Sequence, residues 1–265
     1  MTLTSQFFSR LAVAPAVLVT VQASRGSVPR ETGAWMAVFA NDFLGTIGGG
    51  HLEFQAIAHA RQCLMGGSCA SPVRYALGPT LGQCCGGEVH VQFEPVSGAD
   101  LAALHTRLQP VRTPVALFGG GHVGHALVDV LGNLPLRITW VDSRDEIFPP
   151  HLPEQVACEH SDPVQAAVRS LAPGSRVLIM SFIHAEDLEV VASCLMRQRL
   201  QADLPFVGLI GSQTKWATFR HRLAARGFTP QELAHVTCPI GVPGIRGKAP
   251  EVIAVAVAAQ ILLTL

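Results

Sequence analysis

A glycine-rich turn between an apolar strand and a helix constrains the fold of this 265-residue chain more than any other feature. The predicted strand Val115–Phe118 leads into Gly119, Gly121 and Gly124, which fit the G-x-G-x-x-G pattern, and Asp142 ends the next predicted strand. Glycines in such a turn let the backbone approach a phosphate at the helix N-terminus, and the acid stands near the spacing of a ribose-binding carboxylate. The pattern predicts a Rossmann-like domain. Its ligand stays open between NAD(P), another phosphate compound and none.

Strands and helices alternate along the chain after residue 114. Each apolar run with strand character is followed by helical spacing or by a helix start signal. The further predicted strands lie near 138–141, 177–180 and 206–210, and the helices near 126–134, 163–171, 187–199 and 214–226. Pro250 opens a last, nearly all-apolar helix that we expect to be buried against the sheet or a partner subunit. This alternation predicts a doubly wound parallel sheet in a C-terminal domain, 114–265.

The region before residue 109 has a different pattern. Its predicted elements are strands near 16–22, 34–39, 73–77 and 88–94 and a helix near 52–64. They indicate a smaller α+β domain over 1–108, followed by a proline-containing linker over 109–113. The predicted fold class is therefore α/β, with a Rossmann-like doubly wound sheet preceded by the α+β domain.

Composition narrows the function classes. Charged residues make up 14% of the chain and hydrophobic residues 49%, and 19 basic residues balance 19 acidic ones. This argues against disorder and against nucleic-acid binding. Seven cysteines, an odd number without regular spacing, favour a reducing compartment. The apolar run Val252–Leu265 is too short to span a bilayer, and Pro15 with the β-branched run after it favours a first strand over a signal peptide. We expect a cytoplasmic protein without a membrane partner.

Two adjacent cysteines lie in a glycine-framed turn. Gln83, Cys84, Cys85 and Gly86 precede the strand-like run that begins near residue 88. Buried structural cysteines usually occur singly, and glycine lets a backbone come close to a ligand. The pair suggests thiolates for a soft metal, for sulfur or for a thiol-containing cofactor, or else a redox switch. The alternative is two inert thiols that are neighbours by chance.

Further candidate anion sites precede or open helices. Gly48, Gly49 and Gly50 come before a predicted helix, whose first amides can cradle an anion. The alternative is a tight turn between a strand and a helix. Ser212 and Lys215 follow the strand near 206–210, at the carboxyl edge of the sheet where ligands bind in such folds. Lys215 can bind a phosphate there or decorate the first turn of a helix.

His184 follows another predicted strand and points to the same edge. A single histidine in such a place is more often a surface residue than a metal ligand. No His/Cys spacing fits a closed zinc site, and no serine or cysteine triad signature is present.

A series of motifs occurs in one order over nearly the whole chain. The motifs are Gly26–Arg30, Gly33–Met36, Gly45–Glu53, Gly82–Gly87, Phe118–Gly124, Val141–Arg144, Gly208–Ser212, Cys238–Gly241 and Lys248–Ala254. In this order they resemble the XdhC/CoxI family, the accessory proteins of molybdenum hydroxylases. The resemblance implies that His122 and Arg144, which lie inside two of these motifs, are further candidate cofactor-binding residues. Phe182 stands where family members often carry a histidine, so His184 is the histidine that remains there.

The resemblance implies a function. It implies a homodimeric chaperone, without turnover of its own, that binds the molybdenum cofactor in its molybdopterin form. The chaperone would protect the cofactor while a cysteine desulfurase supplies the terminal sulfido ligand, and would deliver it to apo xanthine dehydrogenase. Cys84 and Cys85 would contact molybdenum or sulfur, and we predict that their loop and the Rossmann glycine loop face one cleft between domains. The alternatives are an NAD(P)-dependent oxidoreductase and a sulfur or nucleotidyl transferase acting on the same cofactor.

Overall fold

The computed structural model describes residues 3–69, 72–77, 87–109 and 111–265. The chain divides into two compact units, Met1–Gln109 and Pro110–Leu265. The first unit holds a five-stranded antiparallel sheet and the second a six-stranded parallel sheet. The predicted α/β fold with a Rossmann-like second part is thereby confirmed.

The first unit is a sheet covered by helices on both faces. Its elements are α1 (Leu3–Leu11), β1 (Ala16–Arg25), β2 (Trp35–Val38), β3 (Phe43–Gly45), α2 (Gly50–Leu64), β4 (Val73–Ala76), β5 (Glu88–Val96), a 3-10 turn (Gly98–Asp100) and α3 (Leu101–Arg107), and the strand order is β3-β2-β1-β5-β4. Successive strand residues face opposite sides. Val17 and Val19 therefore pack in the core under α2, whereas Leu18 packs with Phe7 of α1. Burial on both faces explains why β1 reads as a continuous apolar run.

The second unit has the predicted alternation of strands and helices. Its elements are β6 (Thr113–Phe118), α4 (His122–Leu131), β7 (Leu136–Asp142), β8 (Val156–His160), a 3-10 helix (Val164–Ser170), β9 (Arg176–Ile179), α5 (His184–Gln201), β10 (Phe206–Leu209), α6 (Gln213–Ala225), α7 (Pro230–Leu233), β11 (Val236–Thr237) and α8 (Pro250–Leu262). The strand order is β11-β10-β9-β6-β7-β8. The final apolar helix α8 packs with α4 over the sheet, where Val257 and Ile261 are fully buried.

One predicted α-helix has a different form. The segment predicted as a helix over 163–171 is a 3-10 helix, Val164–Ser170. Two carbonyls near its end, those of Val168 and Leu171, accept hydrogen bonds from the buried guanidinium of Arg197 at 2.7 and 2.8 Å. A side chain of α5 therefore satisfies the carbonyl groups that would otherwise bond to amides of a following helical turn.

The strand order places a crevice at the carboxyl end of β6. The chain winds to β7 and β8 on one side of β6 and to β9, β10 and β11 on the other. Such a reversal point is where ligands bind in open α/β sheets, outside the carboxyl ends of the strands. The Rossmann glycine loop, which starts at Gly119, follows β6 at this point. It is called the second glycine loop below, and the loop with Gly48, Gly49 and Gly50 before α2 is called the first. None of the helices in the described ranges is both long and apolar enough to cross a membrane.

Candidate functional site

Among the motif glycines 119, 121 and 124 of the loop after β6, two positions are crowded and one is open. Gly119 has φ +124°, and a Cβ atom there would overlap the carbonyl group of Met180. A Cβ atom on Gly124 would overlap the carbonyl oxygen of Gly119 as α4 packs onto the loop. Gly121 is the N-cap of α4 with an ordinary φ of −79°, and a Cβ atom there would meet nothing within 4 Å. The fold therefore requires glycine at 119 and 124, whereas at 121 it leaves free space in front of the helix N-terminus.

Asp142, at the end of β7, is bonded to the loop and to Arg144. The side chain of Asp142 is 1% exposed. Its Oδ2 accepts from the amide of Gly120 at 2.5 Å and from Nη2 of Arg144 at 2.9 Å. Its Oδ1 accepts from the backbone amide and from Nε of Arg144, both at 2.9 Å. A carboxylate has about four acceptor sites, so Asp142 has none left for a ribose hydroxyl in this arrangement.

The pKa of Asp142 reflects the same contacts. Burial raises its pKa, but the hydrogen bonds from the Arg144 side chain and the Gly120 amide, with the positive charge of Arg144, outweigh burial and leave it below the ordinary value. The Asp142 carboxylate raises the pKa of Arg144 in turn. The pair is therefore ionised at neutral pH and carries no net charge.

Arg144 is held on a second side by Phe182, which follows β9. The guanidinium carbon lies 4.3 Å from the centre of the Phe182 ring, a cation–π distance. Within the described part of the chain, Nη1 of Arg144 donates no hydrogen bond, and the side chain is 31% exposed. The guanidinium is thus fixed in orientation while two of its N–H groups are free to meet an anion.

Lys215 closes the neighbouring part of the strand edge. Its Nζ donates to Oδ2 of Asp187 at 2.6 Å and to the carbonyl oxygen of Ile210 at 2.9 Å, and its side chain is only 12% exposed. Oδ1 of Asp187 accepts from the amide of Ser181 at 2.7 Å. The ion pair therefore ties the end of β10 to the segment after β9. Ser212 caps α6, because its Oγ accepts from the amide of Lys215 at 3.2 Å.

Polar groups without partners lie at the start of α5. Oε1 of Glu186 accepts from the hydroxyl of Ser143 at 2.6 Å. Its Oε2 and the hydroxyl of Ser181 are buried and have no hydrogen-bond partner within the described residues. His122 and His184 are the first residues of α4 and α5, and both are exposed. The carboxyl edge therefore presents two helix N-termini together with Arg144.

The first glycine loop, before α2, is arranged differently. Gly48 and Gly49 have φ values of +123° and +74°. Oε2 of Glu53 accepts from the hydroxyl of Thr46 at 2.6 Å and from the amides of Ile47 and Gly49 at 3.1 and 3.2 Å. The Gly48 amide donates to the hydroxyl of Thr46 at 3.0 Å. A carboxylate of the same helix thus occupies these amides, whereas the predicted role of Gly48, Gly49 and Gly50 in cofactor binding stays a prediction.

Comparisons with known proteins agree with this architecture. Residues 115–261 match the XdhC Rossmann domain, and residues 10–76 match the XdhC and CoxI family. The chain belongs to the XdhC and CoxI family. The resemblance seen in the motifs is thereby confirmed.

Two individual proteins are similar to this XdhC and CoxI family member. The uncharacterized protein YqeB of Escherichia coli K12 is 27% identical over 258 residues, which cover 94% of this chain and 43% of YqeB. The chain thus spans less than half the length of that relative. A Bacillus halodurans protein, whose crystal structure is described as that of a xanthine dehydrogenase, superposes with a TM-score of 0.80 at 20% identity and covers 100% of this chain and 96% of its own. That similarity shows a shared fold.

In the first unit, three family motifs converge at one end of the sheet. A Cβ atom on Gly48 would lie 2.5 Å from Cγ of Pro29, so the first glycine loop packs on the loop after β1. A Cβ atom on Gly87 would overlap the carbonyl oxygen of Ser27 in that same loop. The amide of Leu77 donates to the carbonyl oxygen of Gly87 at 2.7 Å. The residues that flank the segment 78–86 are therefore paired beside the loop after β1.

The cysteine pair cannot be placed in the same way. Gln83, Cys84, Cys85 and Gly86 lie outside the described residues. The two glycine loops belong to different units, and a common cleft between the cysteine pair and the second loop stays a prediction. Among the residues that the structure describes, no group of three or more His, Cys, Asp or Glu side chains could hold a metal ion.

Sequence reasoning missed three residues that shape these loops. Glu53 was part of a motif, but its role as the anion of its own loop was not predicted. The sequence signal for this role is an acid in the first turn of α2, whereas the first turn of α4 contains no acid. Asp187 is an acid in the first turn of α5, and Phe182 was noted only for replacing a histidine. The sequence around Asp187 does not indicate Lys215 as its partner, and the sequence around Phe182 does not indicate Arg144. Each partner follows a different strand.

Proposed function

We propose that this chain is an accessory protein in the maturation of xanthine dehydrogenase. In this proposal the chain binds the molybdenum cofactor and hands it to the apoenzyme. Membership of the XdhC and CoxI family supports the accessory role. In the finer proposal the cofactor is in its molybdopterin form, a cysteine desulfurase supplies its sulfido ligand while it is bound, and a homodimer acts in the cytoplasm. The chain holds and releases the cofactor without turnover of its own.

The observation that carries this proposal is the open cradle at Gly121. A Cβ atom there meets nothing within 4 Å, and the backbone conformation suits any residue, so the fold does not require glycine. A ligand that approaches the N-terminus of α4 accounts for it, because a methyl group would stand between the amides and a phosphate. Arg144 lies next to the loop through Asp142 and offers two free N–H groups. The residues present fit the phosphate of molybdopterin.

The bound cofactor would supply a phosphate at one end and a sulfur-bound molybdenum centre at the other. Amides at the start of α4, with the guanidinium of Arg144, would hold the phosphate. Cys84 and Cys85 are proposed for the soft end because thiolates suit soft metals and sulfur. Lys215, paired with Asp187 and only 12% exposed, holds the strand ends in position.

The hydrogen bonds of Asp142 weaken the alternative of an NAD-dependent oxidoreductase. NAD-dependent enzymes of this fold recognise the ribose through a carboxylate with open acceptor sites. Each carboxylate oxygen of Asp142 accepts two hydrogen bonds from the protein itself. The accessory function is therefore better supported than hydride transfer with NAD.

A binding experiment tests the proposal. Purified protein is mixed with molybdenum cofactor or with NADH, the free ligand is removed, and the retained ligand is measured. We expect retention of the cofactor and not of NADH, and a loss of about tenfold or more in the Gly121→Ala variant without a change in unfolding temperature. Gly174→Ala, before β9 at the opposite edge of the sheet, is the control for retention: a Cβ atom there also meets nothing within 4 Å, but φ is +79°, so the variant should lose about 1–2 kcal/mol of stability and keep the cofactor.

The cysteine pair is tested in the same assay. Cys84→Ala and Cys85→Ala should each weaken cofactor retention and lower the transfer of cofactor to apo xanthine dehydrogenase. Full retention and transfer in both variants would remove the pair from the proposal. Tight binding of NADH without binding of the cofactor would overturn the proposed function itself.

A further inference from the structure

We propose that Arg144 determines the ligand class of the second glycine loop, selecting a phosphomonoester and excluding a ligand that needs a carboxylate for its ribose diol. This inference deepens the proposed function and rests on the same site, the loop after β6. It names Arg144 as a specificity-determining residue and a phosphomonoester as the group that it recognises.

The first step is the saturation of Asp142. Its four acceptor sites are filled by the Gly120 amide, by the backbone amide of Arg144, and by Nε and Nη2 of Arg144. Three of these four donors belong to one residue. A ribose diol would have to displace charge-assisted hydrogen bonds from a carboxylate that is nearly inaccessible to solvent. With Arg144 in place, the acid at the end of β7 is part of the loop's support.

The second step is the charge next to the loop. Without Arg144, the Asp142 carboxylate would stand beside the amide of Gly120 and repel a phosphate. The guanidinium cancels that charge and keeps two N–H groups on Nη1 unbonded within the described part of the chain. Glu186, a further acid near Arg144, is bonded through Oε1 to the hydroxyl of Ser143. Arg144 therefore offsets the repulsion of an anion by Asp142 and adds two N–H groups that can bind the anion.

The third step is the rigidity of the guanidinium. Asp142 fixes one edge of the group and the Phe182 ring covers a face at 4.3 Å. A side chain held on an edge and a face loses little further freedom when it binds, which favours specific recognition of a planar or tetrahedral oxyanion. Phe182 is 63% exposed, so its packing on Arg144 is not explained by burial in the core. Phe182 acts here as a positioning residue.

Ligand binding to the full chain tests this inference with two probes, inorganic phosphate and NADH. The protein and the variants Arg144→Ala and Arg144→Lys are titrated with each. We expect the unchanged protein to bind phosphate and not NADH, and Arg144→Ala to lose phosphate affinity by about tenfold or more. The same variant should gain NADH binding, because the two acceptor sites of Asp142 used by the guanidinium become available. Arg144→Lys keeps the charge without the fork and should keep part of the phosphate affinity.

Phe182→Ala provides the second variant if Arg144→Ala fails to fold. It removes an exposed ring and should weaken phosphate binding less than Arg144→Ala, while NADH binding stays absent. Unchanged phosphate affinity in both Arg144 variants, or NADH binding to the unchanged protein at the phosphate concentrations used, would overturn the inference.

Titration with molybdenum cofactor separates this inference from the proposed function. If the unchanged protein binds phosphate through Arg144 but does not retain the cofactor, the proposed function fails and the selectivity stands. If it retains the cofactor equally well with Arg144→Ala, the proposed function stands and the role of Arg144 is refuted.

Discussion

Two glycine-rich loops precede helices in this chain, and their amides meet different anions. The first loop, before α2, is closed by Glu53, whose carboxylate accepts from the amides of Ile47 and Gly49. The second loop, before α4, shares one amide, that of Gly120, with Asp142 and leaves the space at Gly121 open. The position four residues after the N-cap holds Glu53 in α2 and His125 in α4. An acid in the first turn thus satisfies its own helix start, and its absence leaves room for an external ligand.

The largest expected effect compares a crowded glycine with an open one. Gly119→Ala forces φ +124° on a residue with a side chain and sets its Cβ atom against the backbone of Met180, so we expect a loss of roughly 3 kcal/mol or more in the free energy of unfolding. Gly49→Ala in the first loop has a φ of +74° and free space around the Cβ atom, so only about 1–2 kcal/mol of conformational strain is expected. Urea unfolding measures both. Equal losses would contradict the difference in packing between the two loops.

The next effect tests whether Glu53 is the anion of the first loop. Glu53→Ala removes the acceptor of three hydrogen bonds, from Thr46, Ile47 and Gly49, and should lower the free energy of unfolding by about 2–4 kcal/mol. The vacated amides should then bind acetate, so added acetate should restore part of the stability of the variant and leave the unchanged protein unaffected. Glu53→Gln, which keeps one acceptor oxygen, is the control and should lose less. A variant that is as stable as the unchanged protein without acetate would show that the loop does not depend on this carboxylate.

The fold was more accessible from sequence than the bonding at the site. The apolar run of β1 and the spacing of Gly119, Gly121 and Gly124 depend on residues close in sequence, and these patterns predicted the elements correctly. The state of Asp142 depends on Gly120, 22 positions away, and on how the Arg144 side chain turns back. Residue type and spacing do not show how many acceptor sites of a carboxylate are already filled. For this reason the sequence alone predicts Asp142 to be a ribose-binding acid.

Helix α1 illustrates a different reason for a missed element. Leu3–Leu11 was not predicted, although Phe7 and Leu11 are almost completely buried. Together with α3, whose Leu104 is buried in the same cluster, α1 covers the second face of the antiparallel sheet, and only the two-sided burial of β1 reveals that a cover is needed. The first glycine loop was correctly located before a helix, whereas the identity of its anion required the hydrogen bonds of Glu53.

The smallest effect concerns the pH dependence of the second loop. The hydrogen bonds and charge of Arg144 hold the pKa of Asp142 below its ordinary value, so the carboxylate stabilises the protein above about pH 4 and this contribution is lost as pH falls through the lower folded-state pKa. In Arg144→Ala, burial is opposed by the backbone amides of Gly120 and residue 144 without the guanidinium, and the pKa of Asp142 should rise above its unfolded value. The folded variant then binds the proton more tightly than the unfolded one, so acidification raises the free energy of unfolding of the variant. Its deficit in the free energy of unfolding should shrink between pH 7 and pH 4, by about 1.4 kcal/mol for each unit by which the pKa of Asp142 in the variant exceeds its unfolded value.

Urea midpoints of the unchanged protein and of Arg144→Ala, measured from pH 7 to pH 4, check this sign. The double variant Asp142→Asn/Arg144→Ala is the control, because it lacks the titrating carboxylate and should keep a nearly constant difference from the unchanged protein across the same range. If the deficit of Arg144→Ala stays constant or grows on acidification, Asp142 does not depend on Arg144 for its ionisation. The support of the second loop would then resemble that of the first, where a carboxylate is held by loop amides and forms no ion pair with any described residue.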